Sequence, residues 1–109
     1  MLDKSTRFLV MCRRGNVRSV ACAYILKDKR RHDDVITCGM DTTSRDTKLI
    51  LGGWAERILV CGQERLVRKL PRSLHCKVIL LDIGTDRWGN PRHPELLELL
   101  EKLLVENGL

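Results

Sequence analysis

In the segment Cys12-Arg13-Arg14-Gly15-Asn16-Val17-Arg18-Ser19, five residues separate a cysteine from an arginine. Five intervening residues can curl into a cradle whose backbone N–H groups point inward, and a helix that starts beside the arginine adds the positive end of its dipole. Such a cradle fits a phosphate dianion. The same field favours the thiolate of Cys12, because helix N-termini and nearby cations lower cysteine pKa values from about 8.5 toward roughly 4–7. Arg18 can grip two phosphate oxygens with its planar fork, which a lysine does poorly. Ser19 can donate its hydroxyl to the sulfur, first as nucleophile and later as leaving group. Gly15 permits close backbone approach or a positive φ, and Asn16 tolerates left-handed geometry. Arg13 and Arg14 stand on the rim, either simply solvated or touching an acidic substrate. The chemistry suggested is transfer of a phosphoryl group to sulfur.

Positioning these residues requires a strand before Cys12 and a helix after Arg18, and the sequence supplies both. Arg7 to Met11 is an apolar run that reads as a strand, and Val17 to about Lys29 reads as a helix. In that helix Val20, Ala21, Tyr24, Ile25 and the stem of Lys27 form the face expected to meet a sheet, and Lys27 to Arg31 gives a basic end suited to the dipole. Further strands are expected at Asp34 to Gly39, Arg57 to Gly62 and Lys77 to Asp82. Helices are expected from Ser44, as N-cap, to Leu51 with a stop at Gly52-Gly53, from Glu64 to Leu70 ahead of Pro71, and from Pro94 to Glu106. Strands that are continuous apolar runs and alternate with helices predict an α/β fold, a four-stranded parallel sheet in three layers with helices on both faces. Ligands bind such sheets beyond the carboxyl ends of the strands, where Cys12 and Asp82 both fall.

Composition narrows the class. The 109 residues, 43% of them apolar, suit a single domain spanning 1–109. No apolar run approaches the roughly 20 residues that span a bilayer, and Met1 to Cys12 lacks the pattern of a signal peptide, so a cytoplasmic protein without membrane attachment is expected. Cys12, Cys22, Cys38, Cys61 and Cys76 contain no CxxC pair, which argues for reduced thiols and against a zinc site. Cys22, Cys38 and Cys61 lie in apolar stretches and are expected to be buried. His32, His75 and His93 have no metal-ligand spacing and are expected at the surface; no metal or other cofactor is implied. Of the net charge of +6, residues 1–34 contribute nine Lys/Arg against four Asp/Glu. A basic surface attracts anions of any kind, so charge alone does not choose between a phosphorylated protein, a small phosphate ester and a nucleic acid. Nucleic acid is the less favoured partner.

The segment FLVMCRRGNVRSVACAYIL resembles the first strand, phosphate loop and first helix of the low-molecular-weight protein tyrosine phosphatases. GGWAERILVCGQERLVRKL is similar to that family's stretch leading through its third strand, and Leu81 to Trp88 followed by His93-Pro94-Glu95-Leu96 resembles the Asp-containing loop and last helix of a short bacterial branch. The resemblance implies a phosphatase acting through a phosphocysteine, on protein phosphotyrosine in particular. It also implies an aspartate on the late loop that protonates the leaving oxygen and then activates water. Asp86 takes that role because Trp88 follows it as in the family, with Asp82 as the fallback. Trp88 is then either a pocket wall or a core residue. The chain departs from the family in placing Gly15-Asn16 one residue later, and in carrying Val17 where the family has a second cysteine. Two alternatives remain: a non-catalytic module that binds phosphate or polyanions, and an arsenate reductase relaying a disulfide through Cys61 and Cys76. A pure binder would need the arginine and the backbone amides but neither Cys12 nor Ser19.

Overall fold

The computed structural model describes residues 3–109. Four strands, β1 (Phe8–Cys12), β2 (Val35–Gly39), β3 (Arg57–Gly62) and β4 (Val78–Asp82), pair in parallel in the order β2-β1-β3-β4. Every residue of β1 is buried, as expected for a strand flanked on both sides and covered on both faces. β2 and β4 are the edges and are only partly covered. Cys38, expected in the core, is therefore half-buried, and Ile36 on the same edge is exposed. The register aligns Cys12 with Gly39 and Met11 with Val60, bringing the carboxyl ends of β1, β2 and β3 to one side of the sheet.

Helix α1 (Arg18–Tyr24) runs on into a π-helical turn at Ile25–Lys29. Its buried face is Ala21, Cys22, Ile25 and Leu26, whereas Val20 and Tyr24 are half-buried and Lys27 is exposed. The face is rotated from the expected one because α1 packs against the closing helix of the chain as well as the sheet. Helix α3 (Pro94–Glu106) has the expected bounds, with proline in its first turn and the His93 ring accepting the Glu95 N–H. Leu96, Leu100 and Leu104, spaced four apart along α3, are fully buried with Phe8, Val10, Ile25 and Leu59. At roughly 1.5–3 kcal/mol for each fully buried large aliphatic, this face is a major source of stability.

The opposite layer is lighter. Ser44 caps α2 (Arg45–Trp54), its Oγ accepting the Thr47 N–H at 3.2 Å. Contrary to the expected stop at Gly52-Gly53, the helix runs on to Trp54. Gly52 lies where a Cβ would come within 2.4 Å of Leu74, so its missing side chain allows a close approach between elements. Glu64–Lys69 is a 3-10 helix rather than the expected α-helix, and a second 3-10 helix, Arg72–Lys77, follows Pro71. The eight residues between Gly62 and Pro71 leave too little length for a packed α-helix, and proline lacks the N–H needed to extend one. Two lysines, Lys48 buried and Lys77 half-buried, fasten this layer. Lys48 Nζ donates to the carbonyls of Met40 at 2.9 Å and Lys69 at 3.2 Å, and Lys77 Nζ to those of Gly52 at 2.8 Å and Ala55 at 2.7 Å. His32, expected at the surface, is buried with its ring edge-on to Phe8, centroids 4.9 Å apart. Among the described residues, no helix is long and apolar enough to cross a membrane.

Candidate active site

The turn from β1 into α1 is short and wound tightly against the end of β2. Past Cys12 the backbone keeps pairing, with Met40 N–H on the Cys12 carbonyl at 2.8 Å and Asp41 N–H on the Arg13 carbonyl at 2.9 Å. Gly15 has a φ of 73°, and a Cβ there would lie 2.6 Å from the Gly39 nitrogen. No other residue satisfies both conditions without displacing the loop. Turned in this way, the loop sends the Gly15 N–H to Cys12 Sγ at 3.2 Å, and the Ser19 hydroxyl oxygen also lies 3.2 Å from the sulfur.

Cys12 is almost completely buried, with 2% of its surface exposed. Burial is the largest influence on its thiol and opposes ionisation. The Ser19 hydroxyl and the backbone N–H groups of Ser19, Gly15 and Val17 together outweigh it and hold the pKa below its ordinary value. The other perturbed thiols go the opposite way. Cys61 is pushed well up by its neighbour Cys22 and by complete burial, and Cys38 is pushed up by burial.

Arg18 is 5% exposed. Its Nη1 donates to the Gly84 carbonyl at 2.6 Å, tying the loop after β1 to the loop after β4, while its Nε is buried without a partner. A guanidinium N–H buried without a partner is an unsatisfied donor, at a cost that an acceptor brought within reach would relieve. Beneath the guanidinium lies Gly62, at the end of β3, with a φ of 151° and room for no side chain: a Cβ would sit 2.7 Å from Nη1.

One cavity of about 290 Å³ gathers Cys12, Arg13, Arg14, Asn16 and Arg18 with Asp86, and adds Gln63, Arg65, Leu66 and Thr85. Of the residues expected in the site, Gly15 and Val17 act through their backbone on the sulfur and do not line the cavity. Trp88 is a core residue, 8% exposed among Ile83 and Leu96, and lines no wall. Asp86 lines the cavity, with Oδ1 accepting the N–H groups of Trp88 at 3.2 Å and Gly89 at 3.3 Å. Asp82 stays outside, its Oδ1 accepting the Gly84 N–H at 3.4 Å. Arg13 is held by Asp41 at 3.0 Å, which also pairs with Lys69 at 2.6 Å. Cys61 and Cys76, the candidate relay, lie fully buried on β3 and exposed on the second 3-10 helix, and neither lines the cavity.

No family model and no curated protein matches this sequence. Solved structures do. The Erwinia amylovora tyrosine phosphatase amsI superposes with a TM-score of 0.67 at 16% identity, over 94% of this chain and 93% of that one. The tyrosine phosphatase Wzb from Escherichia coli K30, solved in complex with phosphate, gives 0.69 at 14%, over 94% and 95%. A YwlE mutant from Bacillus subtilis gives 0.65 at 16%, over 96% and 100%. The chain has the tyrosine phosphatase fold. The resemblance noted in the sequence thus holds for the architecture, at identities too low to carry residue roles across.

Gln63, Arg65, Leu66 and Thr85 escape sequence reasoning because strand order brings them to the site. Once β3 is known to lie beside β1, the residues just after Gly62 are expected next to the Cys12 loop.

Proposed function

We propose that this protein is a cysteine-dependent phosphatase hydrolysing phosphate monoesters, protein phosphotyrosine among them. The observation that carries the proposal is the thiol of Cys12, held low by Ser19 and inward-pointing N–H groups on the floor of a cavity that also holds Arg18 and Asp86. In this reading, residues 12–18 are a phosphate loop: its N–H groups and Arg18 take the phosphoryl oxygens, and Nε of Arg18 gains the partner it lacks. The Cys12 thiolate attacks phosphorus in line. As the P–O bond to the leaving group breaks, Asp86 gives its proton to the departing oxygen. Asp86 then takes a proton from water as that water attacks the phosphocysteine, the P–S bond breaks, inorganic phosphate leaves, and the thiolate returns stabilised by Ser19. Asp86 is preferred to Asp82 because it lines the cavity and its turn leaves one carboxylate oxygen uncommitted, while Asp82 lies outside. Phosphotyrosine as substrate is supported by the shared fold with two proteins described as tyrosine phosphatases.

The test is hydrolysis of an aryl phosphate under reducing conditions by the wild type, Cys12→Ser and Asp86→Asn, with added metal and with a chelator. The expected result is turnover that the chelator leaves unchanged, abolished in Cys12→Ser and slowed about 10²-fold or more in Asp86→Asn. A folded wild-type protein without turnover overturns the proposal.

A further inference from the structure

The cavity is lined by four arginines, Arg13, Arg14, Arg18 and Arg65, against one carboxylate, Asp86. These cations differ in what they have to do. Arg18 is buried and already reaches Gly84, with its remaining donors directed to the phosphoryl group in the reading above. Arg13 is committed to Asp41. Among the described residues, Arg14 and Arg65 have no ion pair, and both are exposed on the rim, one in the loop after β1 and the other in the 3-10 helix after β3. The walls between them offer little to an aromatic ring. Leu66 is the one aliphatic side chain lining the cavity, and no aromatic lines it among the described residues. Trp88 is in the core, and Tyr24 lies in a separate hollow with the Arg92 guanidinium 4.4 Å over its ring. Discrimination between substrates at this mouth must therefore come from charge rather than from stacking.

We infer that Arg14 and Arg65 form a second anion subsite that selects phosphotyrosine flanked by acidic residues, each guanidinium taking a carboxylate of the peptide beside the phosphate. The inference rests on the phosphatase reading; for Arg14 it takes one of the two roles the sequence left open, contact with an acidic substrate rather than solvation, and it adds Arg65, which the sequence pattern overlooked. Two arginines on separate elements match carboxylates on either side of the phosphotyrosine, and a guanidinium suits a carboxylate because its planar fork donates to both oxygens. A partly exposed pair of this kind acts in aqueous surroundings, so its contribution is moderate and screened by salt.

The experiment measures binding separately from turnover. Affinities of Cys12→Ser are measured for three phosphotyrosine peptides that carry Glu, Ala or Lys on both sides of the phosphotyrosine, at low and high ionic strength. The acidic peptide should bind about tenfold more tightly than the alanine peptide at low salt, with the gap shrinking as salt rises. Adding Arg65→Glu or Arg14→Glu to Cys12→Ser should erase or reverse the order, while Arg65→Lys should restore most of it, a rescue that a merely structural residue would not give. Thermal melts verify that each variant folds. Equal affinity for the three peptides, or an order unaffected by Arg65→Glu, overturns the subsite. Failure of the phosphatase reading appears elsewhere, as a wild type that does not hydrolyse the aryl phosphate, and leaves the binding comparison intact.

Discussion

The thiol of Cys12 is held low although the residue is nearly sealed from water, so the donors around it overcome a desolvation that alone would raise its pKa. A test at this scale follows from the sign. Alkylation tracks the thiolate, whose fraction rises with pH through the group's pKa. Iodoacetamide should therefore label Cys12 first at about pH 7, with a rate that levels off below the range near 8.5 where an ordinary thiol is half ionised. Ser19→Ala removes one of the opposing donors and should move that profile to higher pH, slowing labelling at neutral pH, as peptide mass mapping over a pH series would reveal. A profile unchanged by Ser19→Ala would show that the backbone donors alone set the thiolate. Cys12, Arg18 and Ser19 were legible in the sequence because their chemistry is written in one contiguous stretch, where spacing alone forces a loop between strand and helix. Arg65 and Thr85 were not, because their meaning depends on which strand lies beside which. His32 was misplaced for a related reason: a single histidine gives no signal of the Phe8 ring that buries it.

At the level of elements, the site is a junction of strand ends, and its tightest point is where β3 passes beneath Arg18. The Cβ of Gly62→Ala would meet Arg18 Nη1 and Leu66 Cδ1, both at 2.7 Å, on a backbone whose φ of 151° already disfavours an L side chain. The guanidinium should be displaced from Gly84 and from its place in the cavity wall. Misplacement of a positioning group by about 1 Å can cost 10²-fold, so kcat/KM for an aryl phosphate should fall by about that factor, beyond any loss of folded protein in a thermal melt. Nearly unchanged kcat/KM would mean that Arg18 has room that its contacts do not suggest. The strands and the closing helix could be read from apolar runs and proline placement, and β3 and α3 have the expected bounds. On the lighter face the Ser44 cap that starts α2 could be read as well, but not where α2 ends, nor that Glu64–Lys69 is a 3-10 helix. Glycines at Gly52 and Gly53 read locally as a stop, but the need for α2 to press against Leu74 outweighs the propensity cost of about 1 kcal/mol per glycine.

Over the whole molecule, the two faces of the sheet carry unequal loads, and the heavier one lies under the chemistry. The cluster that buries Leu96, Leu100 and Leu104 of α3 also contains Cys12 at the end of β1, Val17 from the loop after it, and Ile83 and Trp88 from the loop that carries Asp86. The smaller cluster on the other face, with Leu9, Met11, Val60 and Leu74, contains none of these loop residues. Both loops thus stand on one packed layer, and a cavity in that layer should be felt in stability and at the site, whereas a cavity at Leu74 in the other layer, which reaches the site through Leu66, should be felt mainly in stability. Leu100→Ala, at a fully buried position, should cost about 2–5 kcal/mol and lower the midpoint of thermal unfolding by about 10 °C or more. Leu74→Ala, on the opposite face and 5% exposed, should destabilise by a smaller amount in the same range. Compared at a temperature where both variants remain folded, Leu100→Ala should have the lower kcat/KM and the faster amide exchange in residues 83–89, because removing one leucine from the cluster it shares with Trp88 and Ile83 loosens the loop that carries Asp86. Equal kcat/KM for the two variants would mean instead that the turn built on the Asp86 carboxylate, with its bonds to the N–H groups of Trp88 and Gly89, holds Asp86 without help from the core.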